Sequence, residues 1–179
     1  MATIVEKTRQ NKARQPGSNQ KSELHDSRVV EQYVTINRSP ERLYQFWRNF
    51  ENLPRFMEHL KSVECIDEKR SHWVVKAPMG KEVAWGAEII NDEPGQLIAW
   101  QSLPNAEEVN AGTVRFEPTA DGQGTVVRVL IKYHPPGGKL GAAVAKLSSE
   151  NPDQQVREDL RRFKQLMESE MPDTFAPGD

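Results

Sequence analysis

From Ser62 to Pro135 the chain alternates between short apolar segments rich in β-branched and aromatic residues and even shorter turns. The segments are SVECID, SHWVVKAP, KEVAWGAEII, QLIAWQS, AGTVRFEP and TVVRVLIKYHP, separated by DEKR, PMGK, NDEPG, LPNAEE and TADGQG. Breaks this short join antiparallel neighbours, because a parallel pair needs a crossover of a dozen residues or more. Asp92-Glu93-Pro94-Gly95 and Asp121-Gly122 carry the strongest turn chemistry. The pattern predicts an antiparallel meander rather than a parallel sheet.

Side chains on a strand alternate between faces, so each segment has a phase that can be counted. Trp73, Val75 and Ala77 share one face, opposite His72, Val74 and Lys76. Val83, Trp85, Ala87 and Ile89 oppose Glu82 and Glu88, and Ile98 and Trp100 oppose Gln101. Val114 and Phe116 oppose Arg115 and Glu117; Val127, Val129, Ile131 and Tyr133 oppose Arg128 and Lys132. Charges collect on one face and three of the four tryptophans on the other. Each indole buries ~150–250 Å², worth roughly 4–6 kcal/mol at about 25 cal/mol per Å² as an upper bound. That face must therefore be covered. The rings either pack as solid core or line a chamber, and the pattern alone favours core.

The obvious cover is the long C-terminal helix, while two short helices after the opening strand form a compact insert. An opening strand, VVEQYVTI, carries apolar residues in both phases and does not declare its facing. NRSPERLYQFWRNF follows as a helix, with Ser39 as cap, Pro40 first, and Leu43, Phe46, Trp47 and Phe50 at helical spacing. ENLPRFM reads as a second short helical turn with Asn52 as its cap. PPGGKLGAAVAKLSSE reads as a hinge and a short Ala-rich helix. The final helix, NPDQQVREDLRRFKQLMESE, is capped by Asn151 and places Val156, Leu160, Phe163 and Met167 in one apolar stripe. Arg157, Glu158, Arg161, Arg162 and Glu168 form its solvated side, with Glu158 and Arg162 spaced to pair.

At 179 residues the chain suits one domain with a substantial core. Residues 1–27 read as a disordered basic tail, 28–170 as the domain, and 171–179 as a second tail. Residues 1–28 carry a net charge of +3 and the remainder −5, giving −2 in all. That balance argues against general nucleic-acid binding, which needs a basic surface to displace counterions. No apolar run is long enough to span a bilayer, and the tail lacks an apolar signal core; at most it makes a weak peripheral membrane contact. The single cysteine, Cys65, reads as a small buried thiol in a reducing, cytoplasmic setting.

SPERLYQFWRNFENLPRFMEHLKSVE, SHWVVKAPMGKEVAWGAEIINDEPGQLIAWQSL, GTVRFEP, GQGTVVRVLIKYHPPGG and QQVREDLRRFKQLME, in that order, resemble the SRPBCC (START/Bet v 1-like) superfamily. Within it they are most similar to the polyketide cyclase/dehydrase and coenzyme Q-binding START-like group. The resemblance runs from about Arg28 to Glu170. It implies an α+β helix-grip fold: a curved seven-stranded antiparallel sheet wrapped around a long C-terminal helix, with two short helices after strand 1. It also implies a cavity between sheet and helix. By that analogy Trp73, Val75, Trp85, Trp100, Val114, Phe116, Val129, Ile131, Tyr133, Leu160 and Phe163 are the expected lining. Phe46, Phe50, Phe56 and Met57 are expected at the portal.

Little chemistry is visible in the residues. The inward phase offers Ser71, Ser102, Asn110 and Tyr133, and no charged group. His25, His59, His72 and His134 are dispersed, with no metal-ligand spacing, so no metal and no cofactor are expected. The resulting expectation is a carrier or sequestering protein for a hydrophobic small molecule such as a lipid, quinone or polyketide. The alternatives are a polyketide cyclase, aromatase or dehydrase using the same cavity, or a filled core with function at the surface. The oligomeric state is left open.

Overall fold

The structure is a computed structural model that describes residues 28–76, 78–104, 106, 110–133 and 151–170. Expectations for the two tails, Ala77 and the Ala-rich segment after the Pro-Pro-Gly-Gly hinge lie outside the described residues. Seven strands form one antiparallel sheet: β1 (Arg28–Ile36), β2 (Leu60–Cys65), β3 (Arg70–Lys76), β4 (Glu82–Glu93), β5 (Leu97–Ser102), β6 (Asn110–Pro118) and β7 (Thr125–Tyr133). Their order is β1-β7-β6-β5-β4-β3-β2, so the meander is flanked by the opening strand. With the long helix α2 (Pro152–Ser169), the chain has the helix-grip α+β fold. Register shifts between Leu60 and Ser62 and between Ile89 and Asn91 are bulges that bend the sheet. Ile90, within the second, follows the outward phase of β4 and is 55% exposed.

The facing of β1 is settled by α2. Val30 and Ile36 are buried while Val29 and Tyr33 are exposed, so the phase of Val30, Gln32, Val34 and Ile36 points inward. Polar bonds fasten the helix along this strand: Lys164 Nζ donates to the Thr35 carbonyl (2.6 Å) and the Asn37 amide to Glu168 Oε1 (2.9 Å). Arg38 Nη2 donates to the Glu170 carbonyl (2.6 Å).

Helix α1 (Pro40–Arg48) starts as expected, with Ser39 Oγ accepting from the Arg42 amide. The following turn is a 3-10 helix, Phe50–Arg55, capped by Asn49 rather than Asn52. Asn49 Oδ1 accepts the Glu51 amide, whereas Asn52 Nδ2 reaches back to the Phe46 carbonyl (3.0 Å). Asn49 alone separates the two helices, closing the first and opening the second, which brings the cap forward. Tyr44 Oη and Arg48 Nε both donate to Asp92 (2.5 and 2.6 Å), pinning α1 to the far end of β4. Burial, then the bond to Asp92, pushes the Tyr44 phenol up to about 12.

Two further expectations are corrected. Cys65 is exposed, not buried: it shares the phase of buried Val63 but stands at the end of β2, the edge strand, where nothing covers it fully. Partial burial and the nearby Glu51 carboxylate raise its thiol pKa, which lowers its thiolate fraction. On α2, Glu158 pairs with Arg161 (2.6 Å), and Arg162 turns inward instead of joining Glu158 across the solvated face.

Candidate functional site

The concave side divides into a sealed part and an open part. In the sealed part Trp47, Phe56 and Phe163 pack together, with ring centroids 4.7–5.2 Å apart at tilted or edge-on angles. Phe46 and Phe116 border them. Such geometries place the positive edge of one ring against the negative face of the next. Leu43, Trp47, Val114 and Phe163 are fully buried there.

In the open part the three sheet tryptophans lie nearly parallel. Trp73 is 6.2 Å from Trp85 with planes 20° apart, and 6.3 Å from Trp100 with planes 17° apart. Trp73 and Trp85 are directly paired across β3 and β4. Trp73 is held by its Nε1, which donates to the buried Ser71 Oγ (2.8 Å). Trp100 can lie flat because its β6 partner is Gly112; a Cβ there would fall on the six-membered ring of the indole. Facing these rings is a chamber of about 260 Å³ between the sheet and the first half of α2. Val30, Trp47, Leu60, Trp73, Trp100 and Val129 form buried walls. Met57, Val75, Trp85, Ile131, Gln155 and Val156 line the rest, as a less buried rim. Asn110 and His59 complete the polar part of the surface.

The expected lining thus divides between the two parts. Trp73, Val75, Trp85, Trp100, Val129 and Ile131 are on the chamber wall, and so is Met57 from the expected portal set. Val114, Phe116, Leu160 and Phe163 are sealed in the core behind it. Phe50 and Phe56 are buried and Phe46 packs against the same cluster, so these rings are structural filling rather than a doorway. Tyr133 pairs through its backbone with Arg28 and Asn110; its side chain lies outside the described residues.

One charged residue on the wall is unexpected. Asp159 is 8% exposed and lines the chamber with His59. A signal for it existed: Asp159 is three residues after Val156 and four before Phe163, the spacing of the apolar face itself. Arg162, one turn on, pairs with Asp159 Oδ1, sends Nε to the Phe56 carbonyl (2.9 Å), and has Nη1 3.4 Å from Glu58 Oε1. Burial pushes the Asp159 carboxyl up from its ordinary value, against the opposing pull of Arg162, His59 and the Glu58 amide. Asp159 and His59 are the titratable groups on the described wall, able in principle to exchange a proton with a bound molecule. The indole N–H groups of Trp47 and Trp85 are buried without an acceptor among the described residues.

Among the described residues no helix is long and apolar enough to cross a membrane, and no three His, Cys, Asp or Glu side chains converge as a metal site would require. A family model described as polyketide cyclase / dehydrase and lipid transport matches residues 36–161. An uncharacterised 17.2 kDa protein of Streptomyces lincolnensis is 28% identical over 145 residues, 78% of this chain and 89% of that one. A Deinococcus radiodurans crystal structure is 45% identical with a TM-score of 0.65, covering 79% of this chain and 97% of that one. A crystal structure from Thermus thermophilus is 25% identical with a TM-score of 0.64, covering 79% and 99%.

Proposed function

The chain belongs to the polyketide cyclase/dehydrase and lipid transport family of the SRPBCC superfamily, and from that premise we propose that it binds a hydrophobic small molecule in the tryptophan-lined chamber as a carrier or sequestering protein. The supporting observation is the shelf of Trp73, Trp85 and Trp100 facing an unfilled volume of about 260 Å³. The Phe56 and Phe163 rings in the neighbouring core are packed solid, so leaving three indoles at a void forgoes dispersion contacts that a flat ligand would restore. The volume is just under the ~300 Å³ at the low end of ligand pockets. It suits a compact ring system, such as a quinone or polyketide-like nucleus, or one end of a longer lipid. The protein would work in the cytoplasm.

Tryptophan fluorescence with a panel of quinones, lipids and polyketide-like compounds tests this, together with native mass spectrometry of protein purified from its own cells. Binding quenches the shelf; at a hundredfold excess over Kd it adds about 2.7 kcal/mol and raises Tm by several degrees. A panel producing neither quenching nor a shift in Tm would sink the proposal.

Asp159 and His59 favour a second reading, an aromatase, cyclase or dehydrase that uses them as proton donor and acceptor. In that reading Asp159→Asn still binds a polyketide-like substrate but loses turnover. Unchanged turnover removes Asp159 from the chemistry.

A further inference from the structure

Apolar walls explain how a lipophile is held but not which lipophile is refused, and the ionisable groups of the chamber are lopsided. Among the described residues its wall carries one carboxyl, Asp159, and one imidazole, His59, and neither lysine nor arginine. Arg162, the cation paired with Asp159, is engaged on three sides by Asp159, Glu58 and the Phe56 carbonyl. A carboxylate entering the chamber would lose its water, meet no uncommitted lysine or arginine among the described wall residues and stand near a like charge.

The start of α2 pulls the other way, because helix N-termini attract anions and Pro152, Gln155 and Val156 face the chamber. That end is already served. Asn151 Oδ1 accepts the Asp153 amide, and the Asp153 carboxylate sits in the first turn, where Gln32 Nε2 reaches it at 3.4 Å. The dipole also fades beyond the first turn, and Asp159 lies in the second. The Trp47 and Trp85 indole N–H groups and the Asn110 and Gln155 amides supply uncharged donors but no countercharge, so the polar contact that discriminates is a ligand hydroxyl donating to the Asp159 carboxylate, whose side chain retains 11% exposure.

We infer that Asp159 makes the chamber charge-selective: it accepts a neutral ring compound bearing a hydroxyl and refuses the same ring bearing a free carboxylate. This rests on the binding reading above. It excludes free fatty acids and other free acids as cargo.

Three two-ring probes of similar shape separate the cases by isothermal titration calorimetry on the full chain at neutral pH: 2-naphthol, 2-methoxynaphthalene and 2-naphthoate. The wild type binds naphthol at least about tenfold more tightly than naphthoate and several-fold more tightly than the methoxy compound, whose donor is blocked. Asp159→Asn narrows the naphthol-to-naphthoate ratio at least about fivefold, chiefly by admitting naphthoate. Val156→Lys, which places a cation on the rim without touching Asp159, does the same if the first variant fails to fold. Equal wild-type affinity for naphthol and naphthoate overturns the inference alone. So does a ratio unmoved in a folded variant. Binding of none of the three overturns the binding reading and this inference together.

Discussion

Two groups of aromatic rings occupy the same concave side and behave differently. Around Trp47, Phe56 and Phe163 the rings meet at tilted and edge-on angles and are fully buried. Around Trp73, Trp85 and Trp100 they lie side by side, nearly parallel, with space above them. Helix α1 and the 3-10 turn supply opposing side chains over the first group, while Phe50 of that turn meets Trp73 and Trp100 edge-on at one side of the second. Over part of the second, α2 holds back, and small or polar groups such as Val156, Gln155 and Asp159 face the rings. Aromatic residues thus pack solid where a partner element fills the facing volume and border open space where it does not.

The sharpest way to break this contrast is to truncate one ring on each side. Phe163→Ala, in the sealed group, removes a fully buried ring and should cost about 3–5 kcal/mol in urea unfolding. Trp85→Phe, on the rim, should cost less than about 1 kcal/mol, since the area lost is offset by removing an N–H that has no acceptor among the described residues. Its ligand quenching should nevertheless weaken. Equal stability losses would erase the distinction between core and chamber.

Gly112→Ala asks whether the shelf is rigid. The new methyl collides with the Trp100 ring, which must tilt or leave, at an overpacking cost of about 1–3 kcal/mol. Near-ultraviolet circular dichroism should report the displaced indole, and the chamber should lose affinity. An unchanged spectrum with unchanged stability would mean the shelf yields freely.

A smaller effect concerns pH. The Asp159 pKa is raised on folding, so the folded chain holds this proton more tightly than the unfolded chain does. The stabilisation is complete below the unfolded value near 3.8 and is lost as pH rises through the raised folded value. Asp159→Asn should flatten that limb of the stability curve. A carboxyl titration by NMR with a midpoint at or below the ordinary value would contradict the burial argument.

The smallest effect lies farthest from both aromatic groups. Met79 adopts a left-handed backbone (φ 62°) beside Gly80 (φ 72°) in the β3–β4 turn, and its side chain is 83% exposed. Met79→Asn should stabilise by roughly 0.5–1 kcal/mol without altering ligand binding, because asparagine tolerates this conformation at little cost.

Much of the fold is legible in the chain because a strand's two-residue period and a helix's spacing are local properties. Turn residues mark the meander, Ser39 and Asn151 mark helix starts, and the phase count correctly separates Trp73, Trp85 and Trp100 from the charged face. The chamber is less legible. Phase says that Phe116 and Trp100 share a face, but not that Phe116 meets Tyr44 and Trp47 while Trp100 borders a void. Asp159 was readable from its spacing, yet its charge suggested solvent, and only the inward turn of Arg162 makes its burial tolerable.

The amino-acid sequence by itself determined the strands, the antiparallel order of the six-stranded meander and which face those six bury, since alternation and turn chemistry act between residues close along the chain. It was the tertiary structure that decided where α2 leaves the sheet uncovered, the facing of β1, and the company Asp159 keeps. Those depend on how far apart bulged, twisted layers come to rest, a distance set by side chains remote from one another along the chain.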